Sequence, residues 1–230
     1  MALIFSFNSK TNKLSIRQAF LLTVSSWIII ALFASLPFMY SQSDLSFTNA
    51  FFESVSGVTT TGSTVISGLD NLPEGILLWR SLLQWFGGIG IIVLALSILP
   101  MLQVGGMQLF HLESDDPYEK TIPKIGKFVF EVAILYFALT LGCAVLYFLY
   151  GMSGFEAFSH SMTTISTGGF STSDQSFSKF NSNTLEWVCI IFMILGSLPF
   201  VVYLKMTHGN WKSLFKDDQI KLFFLILLLL

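Results

Sequence analysis

Charge is scarce in this chain. Of its 230 residues only 11% are Asp, Glu, Lys or Arg, while 53% are hydrophobic; a soluble globular domain carries about 25% charged residues. Such a sequence is excluded from the disordered class, which needs low hydrophobicity and high net charge to stay unfolded. The net charge of −2 leaves no basic excess, and so no lysine and arginine footprint for a nucleic-acid backbone. Cysteine is nearly absent. Cys143 and Cys189 lie in apolar runs at no metal-ligand or redox spacing and read as small buried hydrophobes. Ser/His/Asp and Cys/His arrangements and paired carboxylates are missing from the apolar runs, so the chain reads as a non-enzyme. Gly87, Gly88 and Gly90 in WFGGIG follow no strand and sit within an apolar run, where small residues serve close helix packing. His111, His160 and His208 have no second ligand at metal spacing and read as structural or solvated.

What the chain has in abundance is long apolar runs. A helix needs about 20 apolar residues to cross the hydrocarbon core of a membrane. Four runs qualify, near 18–39, 76–102, 125–150 and 185–206. A fifth, IKLFFLILLLL from Ile220, is too short to span, and because a natural protein rarely ends inside a leucine run with no polar tail the sequence is expected to be a fragment of a longer protein. The basic residues set the orientation. Lys10, Lys13 and Arg17 precede the first span; Lys120, Lys124 and Lys127 lie between the second and third; Lys205, Lys212, Lys216 and Lys221 follow the fourth. Only Arg80 and Lys179 fall on the other side. The amino terminus is therefore expected in the cytoplasm, with the connections near 41–75 and 151–184 facing outward.

These two outward connections resemble each other. Each has a short apolar stretch and then a run of small hydroxyl residues with glycine: NAFFESVSGVTTTGST (Asn49 to Thr64) and FEAFSHSMTTISTGGFST (Phe155 to Thr172). Setting Gly62 on Gly168, 106 residues apart, also sets Phe52 on Phe158, Thr61 on Thr167 and Gly90 on Gly196. An internal repeat of span, short stretch, polar run and span sets the architecture. The short stretch suggests a half-helix that enters the membrane and returns as extended chain, which is tolerated only where it is buried in protein or lines a wet path. Ser153 with Glu156 forms a capping-box pattern, and Ser46 or Thr48 is placed to cap the first half-helix. The half-helices are expected to end at Val58 and Thr164. Their carboxyl ends favour a cation in the segment beyond, and backbone carbonyls of 59–62 and 165–168 are candidates to replace its hydration shell. Ordinary Ser/Thr/Gly turn chemistry in an outer loop is the plainer alternative.

At these residues the sequence resembles the Trk/Ktr/HKT superfamily of potassium uptake proteins, most closely the membrane subunits of its bacterial Trk branch. The motifs that carry the resemblance are AFFESVSGVTTTGST, WRSLLQWFGGIGIIVLALSILP running into VGGMQL (Val104 to Leu109), and TTISTGGFST. The resemblance implies an all-α multi-pass membrane protein built from four M1–pore loop–M2 units of the potassium-channel type. This chain would hold two complete units and the start of a third: the first at 18–102 with its filter at 59–64, the second at 125–206 with its filter at 165–170, and the third beginning at 220–230. Residues 103–124 and 207–219 would be cytoplasmic loops, and 1–17 a cytoplasmic segment or the cut end of preceding helices. Carried over by residue, the potassium ligands fall on Thr60, Thr61 and Gly62 in the first loop and on Ser166, Thr167 and Gly168 in the second. The transported ion is K+, and no organic cofactor is implied for this chain. Expected partners are membrane lipid, the remaining units of the polypeptide, a second copy in a homodimer, and a cytosolic nucleotide-binding regulatory subunit, for which 103–127 and 211–221 are candidate contacts. The expected location is the bacterial inner membrane.

Glu53 lies inside the first half-helix, and an ionisable group at that depth is a functional hypothesis by default. Arg80 is its expected partner, bracing the first pore loop; a snorkelling Arg80 beside a solvated Glu53 is the alternative. The function implied is potassium uptake through a channel-like pore with a filter of backbone carbonyls. A secondary ion-coupled transporter with re-entrant hairpins is the alternative, and it would place Asp or Glu at the hairpin tips.

Overall fold

The computed structural model describes residues 16–41, 45–102, 121–207, 209, 211, 214 and 217–229. His111, His208, residues 103–120 between the second and third expected spans and residues 1–15 lie outside the described residues. Among those described, all regular structure is helical. The order is α1 (Ile16–Ala34), α2 (Leu36–Tyr40), α3 (Phe47–Val58), α4 (Glu74–Leu102), α5 (Thr121–Leu149), α6 (Gly154–Ile165), α7 (Asn183–Ser197), α8 (Phe200–Thr207) and α9 (Asp218–Leu229), with single 3₁₀ turns at Leu69–Asn71 and Ser176–Phe180.

Three stretches are long and apolar enough to cross a membrane: Phe20–Tyr40, Glu74–Val93 and Gly126–Leu149. The fourth expected span is broken. Pro199 has no N–H to donate and forces the residue before it out of helical conformation, so Leu198 is extended (φ −71°, ψ 146°) and α7 and α8 meet at 86°. The Tyr203 hydroxyl closes the corner by donating to the Leu195 carbonyl (2.7 Å). Large apolar side chains such as Phe33, Phe86, Phe130 and Phe148 remain exposed, as a lipid-facing surface requires.

Each unit has its own core. Ala34, Phe38, Ala50, Val58 and Leu83 pack α1, α2, α3 and α4 together, while Val132, Tyr136, Tyr147, Ala157, Ile165 and Val188 join α5, α6 and α7. α4 belongs to both: Trp85, Ile89 and Ile92 lie against the second core, and the Tyr136 hydroxyl donates to the Trp85 carbonyl (3.1 Å). Glycines make this contact possible. A Cβ on Gly88 would fall 2.9 Å from Ser166 Cβ, and one on Gly87 would fall on the Val58 carbonyl oxygen. In the second unit, a Cβ on Gly196 would lie 2.6 Å from the Ile165 carbonyl oxygen. The last helical carbonyl of each short helix therefore rests on a glycine of the following span.

Candidate functional site

The two short helices have 12 residues each, about 18 Å at 1.5 Å per residue, well short of a bilayer core of about 30 Å. Both begin on a serine cap. Ser46 Oγ accepts from Asn49 N–H (3.4 Å), and Ser153 with Glu156 makes both bonds of the capping box.

Both end in the same motif. Thr60 N–H donates to Gly57 O and Thr61 N–H to Ser56 O; Thr167 N–H donates to Thr164 O and Gly168 N–H to Thr163 O. These are the paired 5→2 and 6→1 bonds of a Schellman cap, whose left-handed residue is usually glycine. Here it is a threonine both times, Thr60 at φ 56° and Thr167 at φ 52°. A β-branched residue in that region is strained, on the order of 1–3 kcal/mol. The next left-handed positions are Gly62 (φ 84°) and Gly169 (φ 81°).

The backbone thus relates the two loops at 107 residues rather than 106. Ser46 matches Ser153, Thr60 matches Thr167, Thr61 matches Gly168 and Gly62 matches Gly169. The expected match of Gly62 with Gly168 fails because Gly168, unlike Gly62, has no left-handed backbone. The glycine of α4 that corresponds to Gly196 is Gly87, not Gly90, whose Cβ would meet only Trp27 at 3.9 Å. The second half-helix ends at Ile165 instead of Thr164.

The two loops meet. A Cβ on Gly62 would fall on the Gly168 carbonyl oxygen, so glycine at 62 serves both a left-handed turn and a close approach. Side chains from α4 hold the pair from behind. Arg80 and Glu53 are fully buried and joined through Nε and Oε1 at 2.9 Å. Glu53 also accepts from Thr64 Oγ1 (2.9 Å) and Val65 N–H (3.0 Å). Arg80 Nη2 donates to Thr64 Oγ1 (3.1 Å), Nη1 donates to the Ser171 carbonyl (2.9 Å), and the guanidinium lies 4.2 Å from the Phe170 ring centre. One turn further, Gln84 Nε2 donates to Gly168 O (2.8 Å) and Gln84 Oε1 accepts from Phe170 N–H (3.0 Å). Arg80 and Gln84 stand on one face of α4, the i, i+4 spacing of a helix. The bracing parts of Gln84 and Ser171 are not marked by the motifs; the signal for Gln84 is a second polar residue four places after Arg80 in an otherwise apolar run.

His160 takes in the second loop the place of Glu53 in the first, 107 residues away. It is buried between the edges of Phe177 and Phe180, with Nδ1 on the Glu156 carbonyl (3.0 Å) and Nε2 on Ser171 Oγ (3.1 Å). This is a structural position.

The connections that follow the two half-helices are tied by charge. Asp70 accepts from Ser173 Oγ and Asp174 N–H, and Asp174 accepts from Gly68 and Leu69 N–H. Lys179 reaches Glu156 (2.9 Å) and Asp70 (3.5 Å). The Ser173 hydrogen bond, helped by Asp174 N–H and Lys179, lowers the Asp70 carboxyl below its ordinary range against a small burial cost. Burial pushes Glu156 up, but the bonds from Lys179 and Ser153 outweigh it and leave the carboxyl lowered. Lys179 is raised, first by its hydrogen bond to Glu156.

With this geometry, the family described as TrkH, cation transport protein, matches residues 1–228. The chain belongs to that family. It is 46% identical over 213 residues to the Trk system potassium uptake protein TrkI of Halomonas elongata, a match covering 92% of this chain and 43% of the relative. It is 41% identical over 215 residues to TrkH of Escherichia coli K12, covering 92% of this chain and 44% of that protein. The crystal structure of the potassium transporter TrkH from Vibrio parahaemolyticus superposes with a TM-score of 0.85 at 39% identity, over 97% of this chain and 46% of that one. The chain spans less than half the length of these relatives. Its fold is that of an all-α multi-pass membrane protein with repeated M1–pore loop–M2 units.

Proposed function

We propose that this chain supplies two of four units around a potassium-selective pore, and that K+ is taken up through it by passing along backbone carbonyls of the two loops. The observation that carries the reading is the duplicated Schellman-capped half-helix, whose two polar exits meet at Gly62 and Gly168. A helix carboxyl end carries partial negative charge, and two such ends converging on uncharged hydroxyl and glycine residues suit a monovalent cation that must be bound without being trapped. The ligand positions are those of Thr60, Thr61, Gly62, Ser166, Thr167 and Gly168; in the 107-residue register Thr60 pairs with Thr167 and Thr61 with Gly168, while Gly62 corresponds to Gly169 and Ser166 to Thr59.

One observation disfavours the carboxylate-coupled alternative. Among the described residues the buried carboxylate is Glu53, and its oxygens are occupied by Arg80, Thr64 and Val65. The proposal extends to the remaining units of the polypeptide, to a homodimer in the bacterial inner membrane with a cytoplasmic amino terminus, and to a nucleotide-binding regulatory subunit docking on the cytoplasmic face. Of the candidate docking segments, residues 103–120 lie outside the described residues, and Trp211 is exposed.

The test is expression of the full-length parent in cells lacking potassium uptake, with Gly62→Ser and Gly169→Ser. Each puts a side chain on a left-handed position, and the first also drives it into the Gly168 carbonyl. Growth at low potassium should fail, or K+/Na+ preference should collapse. Unchanged growth and preference in both variants would overturn the pore assignment.

A further inference from the structure

We propose that Gln84 is a selectivity-determining positioning residue, an amide clamp reaching from the first unit onto the backbone of the second pore loop. The inference rests on the pore reading above and assigns to α4 a part in it that neither the ion-ligand set nor the Arg80–Glu53 pair covers.

Gln84 has no exposed surface. Both ends of its amide are used on one short segment, the nitrogen on Gly168 O and the oxygen on Phe170 N–H. The orientation is fixed by chemistry, because the carbonyl needs a donor and the N–H an acceptor. A buried amide satisfied at both ends fixes the spacing and tilt of the two peptide groups it joins, and leaving either of them unpaired would be costly.

The clamp also accounts for a feature that the repeat leaves open. The first loop reads Thr61–Gly62 where the second reads Gly168–Gly169. Gly62 and Gly169 share a left-handed backbone and need glycine for that reason. Gly168 has another reason: a Cβ there would fall on the Gln84 amide, with Nε2 at 2.7 Å. The second glycine is therefore the space in which Gln84 lies flat on the filter backbone. Thr61, the matching residue in the first loop, has a side chain that bonds Thr59 Oγ1 instead (2.8 Å). In α7 the position matching Gln84, counted from the Gly87 and Gly196 contacts 109 residues apart, is Met193, which has no amide and is 43% exposed. The clamp thus serves the junction of the first and second units, and it makes the two filters unequal.

The test compares Gln84→Met and Gln84→Glu in the full-length protein, reading the ratio of K+ to Na+ uptake in cells together with the amount of protein in the membrane. Gln84→Met keeps bulk and loses both hydrogen bonds. It is expected to reach the membrane and to lower the K+/Na+ ratio at least about tenfold, the factor for losing either one of these two buried hydrogen bonds. Gln84→Glu, when ionised, faces Gly168 O with a second acceptor and should lower the ratio at least as far. When protonated it can again donate to Gly168 O and accept from Phe170 N–H, so acidification should restore its ratio while leaving Gln84→Met unchanged. A Gln84→Met protein with wild-type ratio overturns the clamp, as does an equal fall in both ions with the ratio unchanged. Failure of both variants to accumulate makes Gln84 a folding residue and overturns it too. Gly62→Ser separates the two levels: if it changes the ratio and the Gln84 variants do not, the clamp alone fails, and if none changes it, the pore reading fails.

Discussion

Replacing Arg80 tests most directly how the two units are held together. Its guanidinium ties Glu53 and Thr64 of the first unit to the Ser171 carbonyl and Phe170 ring of the second, with only 1% of its side chain exposed. Removing one member of a buried ion pair leaves the other charge uncompensated and costs about 3–5 kcal/mol. Glu53→Gln and Arg80→Gln should each do so, and Arg80→Gln should be the worse of the two, because it also strands the Ser171 carbonyl at about 1–3 kcal/mol. A loss of 1 kcal/mol moves the melting point of a 150–250-residue protein by roughly 2–4 °C and that of one about twice as long by about half as much, so each single variant should melt some 3 °C or more below wild type. The double variant Glu53→Gln/Arg80→Gln removes both charges and should be less damaged than the two singles added together, with a coupling of about 2 kcal/mol.

Arg80→Lys separates charge from geometry. A lysine keeps the charge and can hold Glu53, but one ammonium cannot also span Thr64 and Ser171 as the planar fork does. It should recover part of the melting point and little of the potassium uptake. The assay is thermal unfolding of the detergent-solubilised full-length protein followed by monodisperse elution, with uptake measured in parallel. Additive single effects, with coupling under about 0.5 kcal/mol, would refute the buried pair as the brace. Full uptake by Arg80→Lys would refute the bridge to the second loop.

Two further outcomes are expected. Thr60→Gly and Thr167→Gly each relieve a left-handed threonine and should raise the melting point, by up to the equivalent of about 1–2 kcal/mol, while lowering K+/Na+ preference; a melting point below wild type in both would show that these threonines are not strained. Gly87→Ala drives a methyl into the Val58 carbonyl, whereas Gly90→Ala meets only Trp27 at 3.9 Å. The first should lower the melting point by several degrees and the second should leave it nearly unchanged, as thermal unfolding of the two variants will show; equal effects would remove the proposed seat of α3 on α4.

What was legible in the sequence was whatever depends on neighbours along the chain or on an oddity of polarity. The spans follow from run length, the serine caps from local spacing, and the Glu53–Arg80 pair from two lone charges in apolar surroundings. What was not legible depends on backbone angles and on partners far away in sequence. In a Schellman cap the left-handed residue is usually glycine, and nothing in Thr60 or Thr167 marks them as taking that place. The second loop has two adjacent glycines, and only the later one, Gly169, takes the left-handed place of Gly62. The fourth span looked continuous because Leu198–Pro199 interrupts an apolar run without changing its hydropathy.

The one-residue offset between the two loops has a physical cause. Had the two loops been equivalent copies, a single glycine in each would have aligned them without ambiguity. They differ because α4 presents Gln84 to the second loop, while α7 carries Met193 at the matching position. A carbonyl that already accepts from an amide has one lone pair left for a further partner. On the pore reading proposed above, the Gly168 carbonyl would be a stiffer and weaker ligand than its counterpart at Thr61. A ring with unequal ligands has unequal wells along its axis, so substitutions at Thr61 and Gly168 should not be interchangeable even though the repeat makes them equivalent.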